Sequence, residues 1–460
     1  MKPITQATYL KYWLMFLTLF AAAPKCVALD RQPNADYRSR RLALAQKLNG
    51  GVAVLFAGTE AEGPSATSGF RQDNNFYYLT GWAEPGAALV IAGQVTGHDT
   101  TLGRQYSEIL FLPVHNSTQE KWTGPKLGAN NPQAPTITGF ERVANLDQMP
   151  AELARILTGG SPAVYAELTE DGEVSASAYA LDWLRRTNTF PMRTSIDDIR
   201  PLMAQLRVVK DQGEIDRIRH ATDASMAAHM AALQMIQPGI NEHDIDALMQ
   251  YEFMKRGCER PAYAPIIGTG ANSTVLHYSA DDAPIKAGDV VVMDVAGEFA
   301  MYASDITRTA PANGKFTERQ REIYNIVLGA QRAVMAAFKG GKSKLTGRGG
   351  DSLTQVAFDY INSHGKDLHG QPLGQYFIHG VSHYVGLEVH DPGDIAAPIP
   401  KGAVFTVEPG IYIPEEKIGI RIEDIVWYSP DGTLVNFTAA LPHTAEEIEA
   451  AMAGKFNFKQ

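Results

Sequence analysis

Two stretches of this chain share one frame, and each ends on an acid. Pro284-Ile-Lys-Ala-Gly-Asp-Val-Val-Val-Met-Asp294 can be laid against Pro398-Ile-Pro-Lys-Gly-Ala-Val-Phe-Thr-Val-Glu408. Pro, Ile, Gly and Val coincide, and the closing acid stands six residues after the glycine in both copies. A histidine precedes each copy, His277 before Asp294 and His390 before Glu408, and a second acid follows each, Asp305 in the first and Glu423 in the second. A repeat that delivers two acids per copy predicts a two-halved site with four carboxylates at its centre.

The second copy sits in a stretch, Ile378 to Asp424, where His379, His383, His390, Glu408 and Glu423 occur among apolar and β-branched residues. Burying such groups is costly unless opposite charge accompanies them. One metal ion, or a pair, is the natural compensator. Strand alternation puts residues i and i+2 on one face, so Arg421 points with Glu423, and Asp305 with Thr307. Asp294, Asp305, His383, Glu408 and Glu423 are therefore expected to bind two divalent ions. Four carboxylates and one imidazole form a hard, oxygen-rich set that suits Mn2+, with Zn2+, Co2+ and Fe2+ compatible. Two such ions share and activate a water between them. His277 and His390 remain to donate hydrogen bonds to the reacting peptide. His379-x-x-x-His383 has the spacing of a helical zinc pair, but no Glu follows the first histidine and Gly380 suits a helix poorly, so that reading is discounted.

The rest of the chain frames this stretch. A length of 460 residues implies more than one domain, and 45% hydrophobic with 20% charged residues is an ordinary globular composition. A net charge of −10 disfavours a nucleic-acid binder, which needs a basic face. Lys2 and Lys11 precede an apolar run, Tyr12 to Ala23, which reads as a secretory signal over residues 1–28, cleaved after Ala28. The expectation is a periplasmic or secreted protein with no stable membrane insertion after processing. Of the two cysteines only Cys258 survives that cleavage, so no internal disulfide is expected.

Residues 30–200 read as a smaller mixed-sheet α/β domain. Strands are expected at Gly51–Gly58, Phe76–Gly81, Ala87–Gly93 and Ile109–Val114, and helices at Tyr37–Leu48 and Gln148–Leu157. This part shows no Gly-x-Gly-x-x-Gly, phosphate loop or nucleophile elbow, so it supports or gates. A junction falls near Asp197 to Lys210. Residues 205–455 then give two successive helix–helix–strand units. Asp211 opens a helix stopped at Pro238-Gly239, and a second helix carries Ile245, Leu248, Met249 and Phe253. Thr317-Glu-Arg-Gln320 and Ser352-Leu-Thr-Gln355 open the corresponding pair. The fold class is α/β (α+β) with a pseudo-twofold repeat.

At these residues the chain resembles the aminopeptidase P and prolidase family of pita-bread metallopeptidases. The matching segments are Leu276-His277-Tyr278, Met293-Asp294, Asp305-Ile-Thr-Arg308, His379-Gly-Val-Ser-His383, Val389-His390-Asp391, Val407-Glu408-Pro409-Gly410 and Gly419-Ile-Arg-Ile-Glu423-Asp424. Arg71 to Gly81 and Glu84-Pro85 look like that family's creatinase-like N-terminal domain. The resemblance implies a pita-bread catalytic domain, two metal ions, commonly manganese, and hydrolysis of the N-terminal Xaa-Pro bond. It implies that Asp294 belongs to one ion, that His383 and Glu408 belong to the other, and that Asp305 and Glu423 bridge. It assigns catalytic roles to Glu408, His277, His390, His379 and Arg421, with Glu408 shuttling a proton.

An Xaa-Pro bond lacks the amide N–H and has a fixed φ, so it needs a shaped pocket. Tyr384 and Val385, beside His379, are expected to line it. Asn75 stands where relatives often carry Asp, so recognition of the substrate amine is expected to differ. The resemblance implies that strict dipeptidases carry arginines here to grip a C-terminal carboxylate; Asp394 to Lys401 holds none, which favours an aminopeptidase on longer peptides over a prolidase-type dipeptidase. A non-catalytic peptide-binding module is disfavoured because all five ligands are present. The partners expected are peptides with proline second and further copies of the chain in a homo-oligomer.

Overall fold

The structure, a computed structural model, describes residues 30–60, 69–94, 105–118, 120–157, 163–168 and 194–455. The proposed signal at 1–28 lies outside the described residues. No helix among them is long and apolar enough to cross a membrane.

The N-terminal part is built on a six-stranded mixed sheet. In chain order come α1 (Asn34–Lys47), β1 (Val52–Phe56), α2 (Asn74–Thr80), β2 (Ala88–Ala92), β3 (Ser107–Leu112), β4 (Val143–Asn145), α3 (Met149–Leu157), β5 (Ala163–Ala166) and β6 (Ser195–Asp198). The strand order is β4-β3-β2-β1-β5-β6. The β1–β2 and β2–β3 pairs are antiparallel, and the other pairs are parallel. Alternate side chains Val52, Val54 and Phe56 pack with Val90, Ile109 and Phe111 against Leu153 and Ile156 of α3.

One expected strand is instead a helix. Phe76–Gly81 forms most of α2, because the Asp73 carboxylate accepts from the Phe76 amide at 2.7 Å and Gly81 turns left-handed, φ 61°, behind it. Phe76 through Thr80 are all buried, so the apolar run lacks the alternation that would separate strand from helix.

Past β6 the chain enters α4 (Arg200–Arg207) and the two repeated units. The first holds α5 (Gln212–Met235), α6 (Glu242–Met254), β7 (Arg260–Pro261), β8 (Ile266–Thr269), β9 (Val290–Asp294), β10 (Gly297–Phe299), β11 (Tyr302–Ala303) and β12 (Thr307–Pro311). The second holds α7 (Glu318–Ala337), α8 (Leu353–Ser363), β13 (Val404–Val407), β14 (Gly410–Ile413), β15 (Ile418–Arg421), β16 (Asp424–Tyr428) and β17 (Leu434–Asn436), before the final α9 (Ala445–Met452). The helix starts follow the expected chemistry. Asp211, Thr317 and Ser352 each accept from the amide three residues on, and the first two close full capping boxes. Such a cap stabilises a helix by about 1 kcal/mol.

Each unit raises one long antiparallel hairpin. In the first, Thr307 pairs Asp294, and the same register continues to Phe299 and Tyr302 near the tip. In the second, Val407 pairs Asp424 and Gly410 pairs Arg421 in one continuous register. The hairpins share a single apolar core with α5 and α7, in which Ala228, Ile323, Val327, Val407 and Ile422 are all buried. Arg308, fully buried, fastens hairpin to hairpin. Its guanidinium donates to the carbonyls of Thr307 and Glu423, to the Pro442 carbonyl and to the Asp424 carboxylate.

Candidate metal centre and active site

Hairpin geometry delivers the acids. Asp294 ends β9 opposite Thr307, and Asp305 precedes Thr307 by two residues, so Asp294 and Asp305 share a face. One further step along the β13–β16 register sets Glu408 opposite Glu423. The hairpins then meet. The Thr307 hydroxyl donates to Glu423 Oε2 at 2.7 Å, and the Glu423 amide donates to the Thr307 carbonyl at 3.1 Å.

His383 arrives from a segment without regular structure. Its Nε2 lies 3.3 Å from both Asp305 Oδ2 and Glu408 Oε1, while Nδ1 approaches the Tyr384 carbonyl at 3.1 Å. One donor atom each from Asp305, His383 and Glu423 lie within 4.8 Å of one another. Glu408 stands beside this trio. Asp294 is turned elsewhere, taking a hydrogen bond from Arg421 at 2.6 Å and another from the Tyr263 hydroxyl at 2.6 Å. All five expected ligands line one cavity of about 520 Å³.

The electrostatics of this cavity are lopsided. Burial, then the charges of Asp305 and Glu408, raise Glu423 well above the usual carboxylate range. Burial also raises Asp305, against the opposing hydrogen bond of His383. Glu408 is pushed up to about 7, first by burial and then by Asp305 against the pull of His383. Burial alone would lower His383, but Asp305 and Glu408 outweigh it and hold the imidazole at about 9. Arg421 is the one Lys or Arg among the described lining residues, and it is committed to Asp294, Tyr412 and Thr307. Four acids therefore face one engaged guanidinium and one imidazole. The surplus negative charge and the oxygen-rich donors fit divalent cations.

The remaining histidines border the same cavity. His379 Nε2 lies 2.9 Å from the Tyr412 hydroxyl, and burial, helped by Arg421, lowers its pKa to about 4. His390 stands edge-on to His383 at 4.2 Å between ring centres and is likewise lowered to about 4, by burial and then by His383. His277 is exposed, and its charge contributes to lowering both. His379 and His383 do not share a helix, so the discounted zinc-pair reading finds no support in the geometry.

Two expectations are corrected. Tyr384 and Val385 are 1% and 0% exposed, inside the core, and do not line the cavity; its apolar wall comes from Ile266, Leu276 and Val389. Asn75 does not reach the cavity either. It bridges the two domains, donating to Glu167 at 2.5 Å and accepting from Arg207 at 2.9 Å. Arg207 and Lys210 in turn hold the buried Asp391, next to His390. Tyr263 was not anticipated from the sequence, because Arg260-Pro-Ala-Tyr-Ala-Pro265 carries no element of the repeat.

Comparison with known proteins agrees with this geometry. The model of metallopeptidase family M24 matches residues 216–429, and that of the aminopeptidase P N-terminal domain matches residues 37–165. The Xaa-Pro aminopeptidase of Escherichia coli K12 is 33% identical over 443 residues, covering 91% of this chain and 97% of that protein. The Xaa-Pro aminopeptidase of Haemophilus influenzae is 31% identical, covering 92% and 98%. The solved structure of zinc-substituted E. coli aminopeptidase P in complex with product superposes with a TM-score of 0.79 at 32% identity, covering 93% of this chain and all of that one.

Proposed function

This chain belongs to metallopeptidase family M24, and on that premise we propose that it hydrolyses the N-terminal Xaa-Pro bond of peptides and releases the first residue. The fold is the family's: a pita-bread catalytic domain behind an aminopeptidase P N-terminal domain. The observation that carries the reading is the convergence of four acids from two hairpins, and one imidazole from the irregular segment ahead of the second, into a single cavity.

Asp294, Asp305, His383, Glu408 and Glu423 are the residues that would hold two divalent ions, and Asp305 and Glu423 would contribute to both. Bound ions would supply Lewis-acid polarisation of the scissile carbonyl and a lowered pKa for the attacking water. The chain's own groups do the rest. Glu408 takes a proton from the attacking water and returns it to the departing proline nitrogen. His390, lowered to about 4 and so neutral at physiological pH, and His277 beside it donate hydrogen bonds as the carbonyl oxygen gains charge. Arg421 holds Asp294 in place, and Tyr412 braces His379. Ile266, Leu276 and Val389 provide the apolar wall for the proline ring.

No uncommitted cation lines the described cavity to grip a substrate's C-terminal carboxylate, so tripeptides and longer peptides are the better substrates. Assay of Arg-Pro-Pro against Gly-Pro tests this, and a preference for the dipeptide overturns it. The hard donor set favours manganese, which metal analysis of the purified protein checks. The apolar run Tyr12 to Ala23 behind Lys2 and Lys11 supports a signal at residues 1–28 and export from the cytoplasm, and N-terminal sequencing of exported protein should begin at Leu29. Self-association is part of the same reading, supported by the exposed apolar side chains of Trp122 and Val114 on the N-terminal domain. Light scattering reads the resulting homo-oligomer.

A further inference from the structure

His277 lines the cavity, yet among the described residues no side chain hydrogen-bonds its ring. Its position is set by the backbone that carries it, the segment between β8 and β9. That segment is fastened on both sides of His277 by one carboxylate. Glu242, the first residue of α6, is 0% exposed. Its Oε1 accepts from the Thr269 amide at 2.7 Å and from Asn272 Nδ2 at 3.2 Å, both ahead of His277. Its Oε2 accepts from the Tyr278 hydroxyl at 2.9 Å and from the Ala283 amide at 2.9 Å, both behind it. The Glu242 amide donates back to the Ala283 carbonyl at 3.0 Å, which closes the loop on the helix start.

Four donors on one buried carboxylate are more than helix capping requires. Asn241, the preceding residue, already caps α6 and forms the capping box with Asp244. The Glu242 side chain is therefore spent on the loop. Charge-assisted hydrogen bonds of this kind are short and stiff compared with neutral ones. A catalytic ring displaced by a fraction of an ångström forfeits much of its contribution.

We propose that Glu242 is a positioning residue for the reaction, holding the His277 ring at the substrate from outside the cavity. The inference rests on the reading of His277 as a substrate-contacting group. Its test is Glu242→Gln, assayed for kcat and KM on an Xaa-Pro-Xaa tripeptide, alone and combined with His277→Ala. Bound metal and melting temperature are measured on each variant. A glutamine amide sets an N–H against the loop's own donors and loosens it. The expected result is a loss of about tenfold in kcat with KM little changed, metal content intact and no further loss in the His277→Ala background. Losses that multiply show that Glu242 acts elsewhere and overturn the inference alone. Undiminished turnover by His277→Ala overturns the reading beneath it. If Glu242→Gln does not fold, Asn272→Ala combined with Tyr278→Phe removes one donor from each carboxylate oxygen. The same comparison with His277→Ala then applies under the same criteria.

Discussion

Glu423 and Asp424 are neighbours in the chain, yet their surroundings are opposite. Glu423 faces Asp305 and Glu408 and is held well above the usual carboxylate range. Asp424 takes hydrogen bonds from Arg308 and Asn436, each at 2.8 Å, and lies 2.8 Å from His443 Nε2. Burial alone would raise Asp424, but Arg308 and His443 outweigh it and hold it far below its ordinary value. The step from one residue to the next turns the side chain from one face of the hairpin to the other. On one face the chain supplies its own counter-charge, and the result is structural. On the other it gathers acids and leaves the balance to a cation, and the result is functional.

The largest test of that contrast is Glu423→Ala or Asp305→Ala. Each should abolish turnover and bound metal together while circular dichroism stays native, and retained turnover in either would break the comparison. Asp424→Ala should do the reverse: it strands the Arg308 guanidinium without its carboxylate and costs about 3–5 kcal/mol in denaturant unfolding. If it melts no earlier than Glu423→Ala, the two faces are not distinct. Chelation comes next. Ions at about a hundred times their dissociation constant stabilise the folded state by about 3 kcal/mol, so a chelator should lower wild-type stability by that much and Glu423→Ala hardly at all.

The pH dependence of the chelated protein sharpens the contrast further. Glu408 is raised from 4.5 to about 7, so the folded state binds its proton more tightly than the unfolded chain does. That stability is present below about 4.5 and lost as pH rises to about 7, at up to about 1.4 kcal/mol per pH unit. Asp424 is depressed, so its stability is present above its ordinary value and lost as pH falls below it. His379 and His390, lowered to about 4, run the other way and give stability that rises between about 4 and their ordinary 6.5, so the Glu408 contribution is read as the difference between chelated wild type and chelated Glu408→Gln. That difference should fall from pH 5 to 7, and a flat difference counts against the unbalanced cavity. The smallest effect is expected from Asn75→Ala, which should cost about 1 kcal/mol of stability. Because Asn75 lies outside the cavity, kcat/KM on a tripeptide should stay within about twofold.

Much of this was readable in advance. The five donors stood out because each occupies a matched place in a repeated, apolar frame, and charge in such company needs a reason. The long helices were readable from their caps, since Asp211, Thr317 and Ser352 are local signals that tertiary packing did not override. Phe76–Gly81 was misread because a short, wholly buried apolar run has no periodicity, although Asp73 and Gly81 bracket it as caps. Tyr384 was misplaced because adjacency to His383 says nothing about direction: the His383 ring points into the cavity while the next side chain turns into the core. Tyr263 and Glu242 act on residues far along the chain, and no local pattern announces such partners.

The bonds of Arg308 set an order of events during synthesis. Its guanidinium draws on the main chain of both acid-bearing arms and on the Pro442 carbonyl, 134 residues downstream. A nascent polypeptide that has produced only the earlier arm lacks the atoms that lock it against its counterpart. The metal site is thereby incomplete until the later arm and the Pro442 segment have been made, and a chain with only the earlier arm lacks Glu408, Glu423 and the clamp that sets the arms face to face.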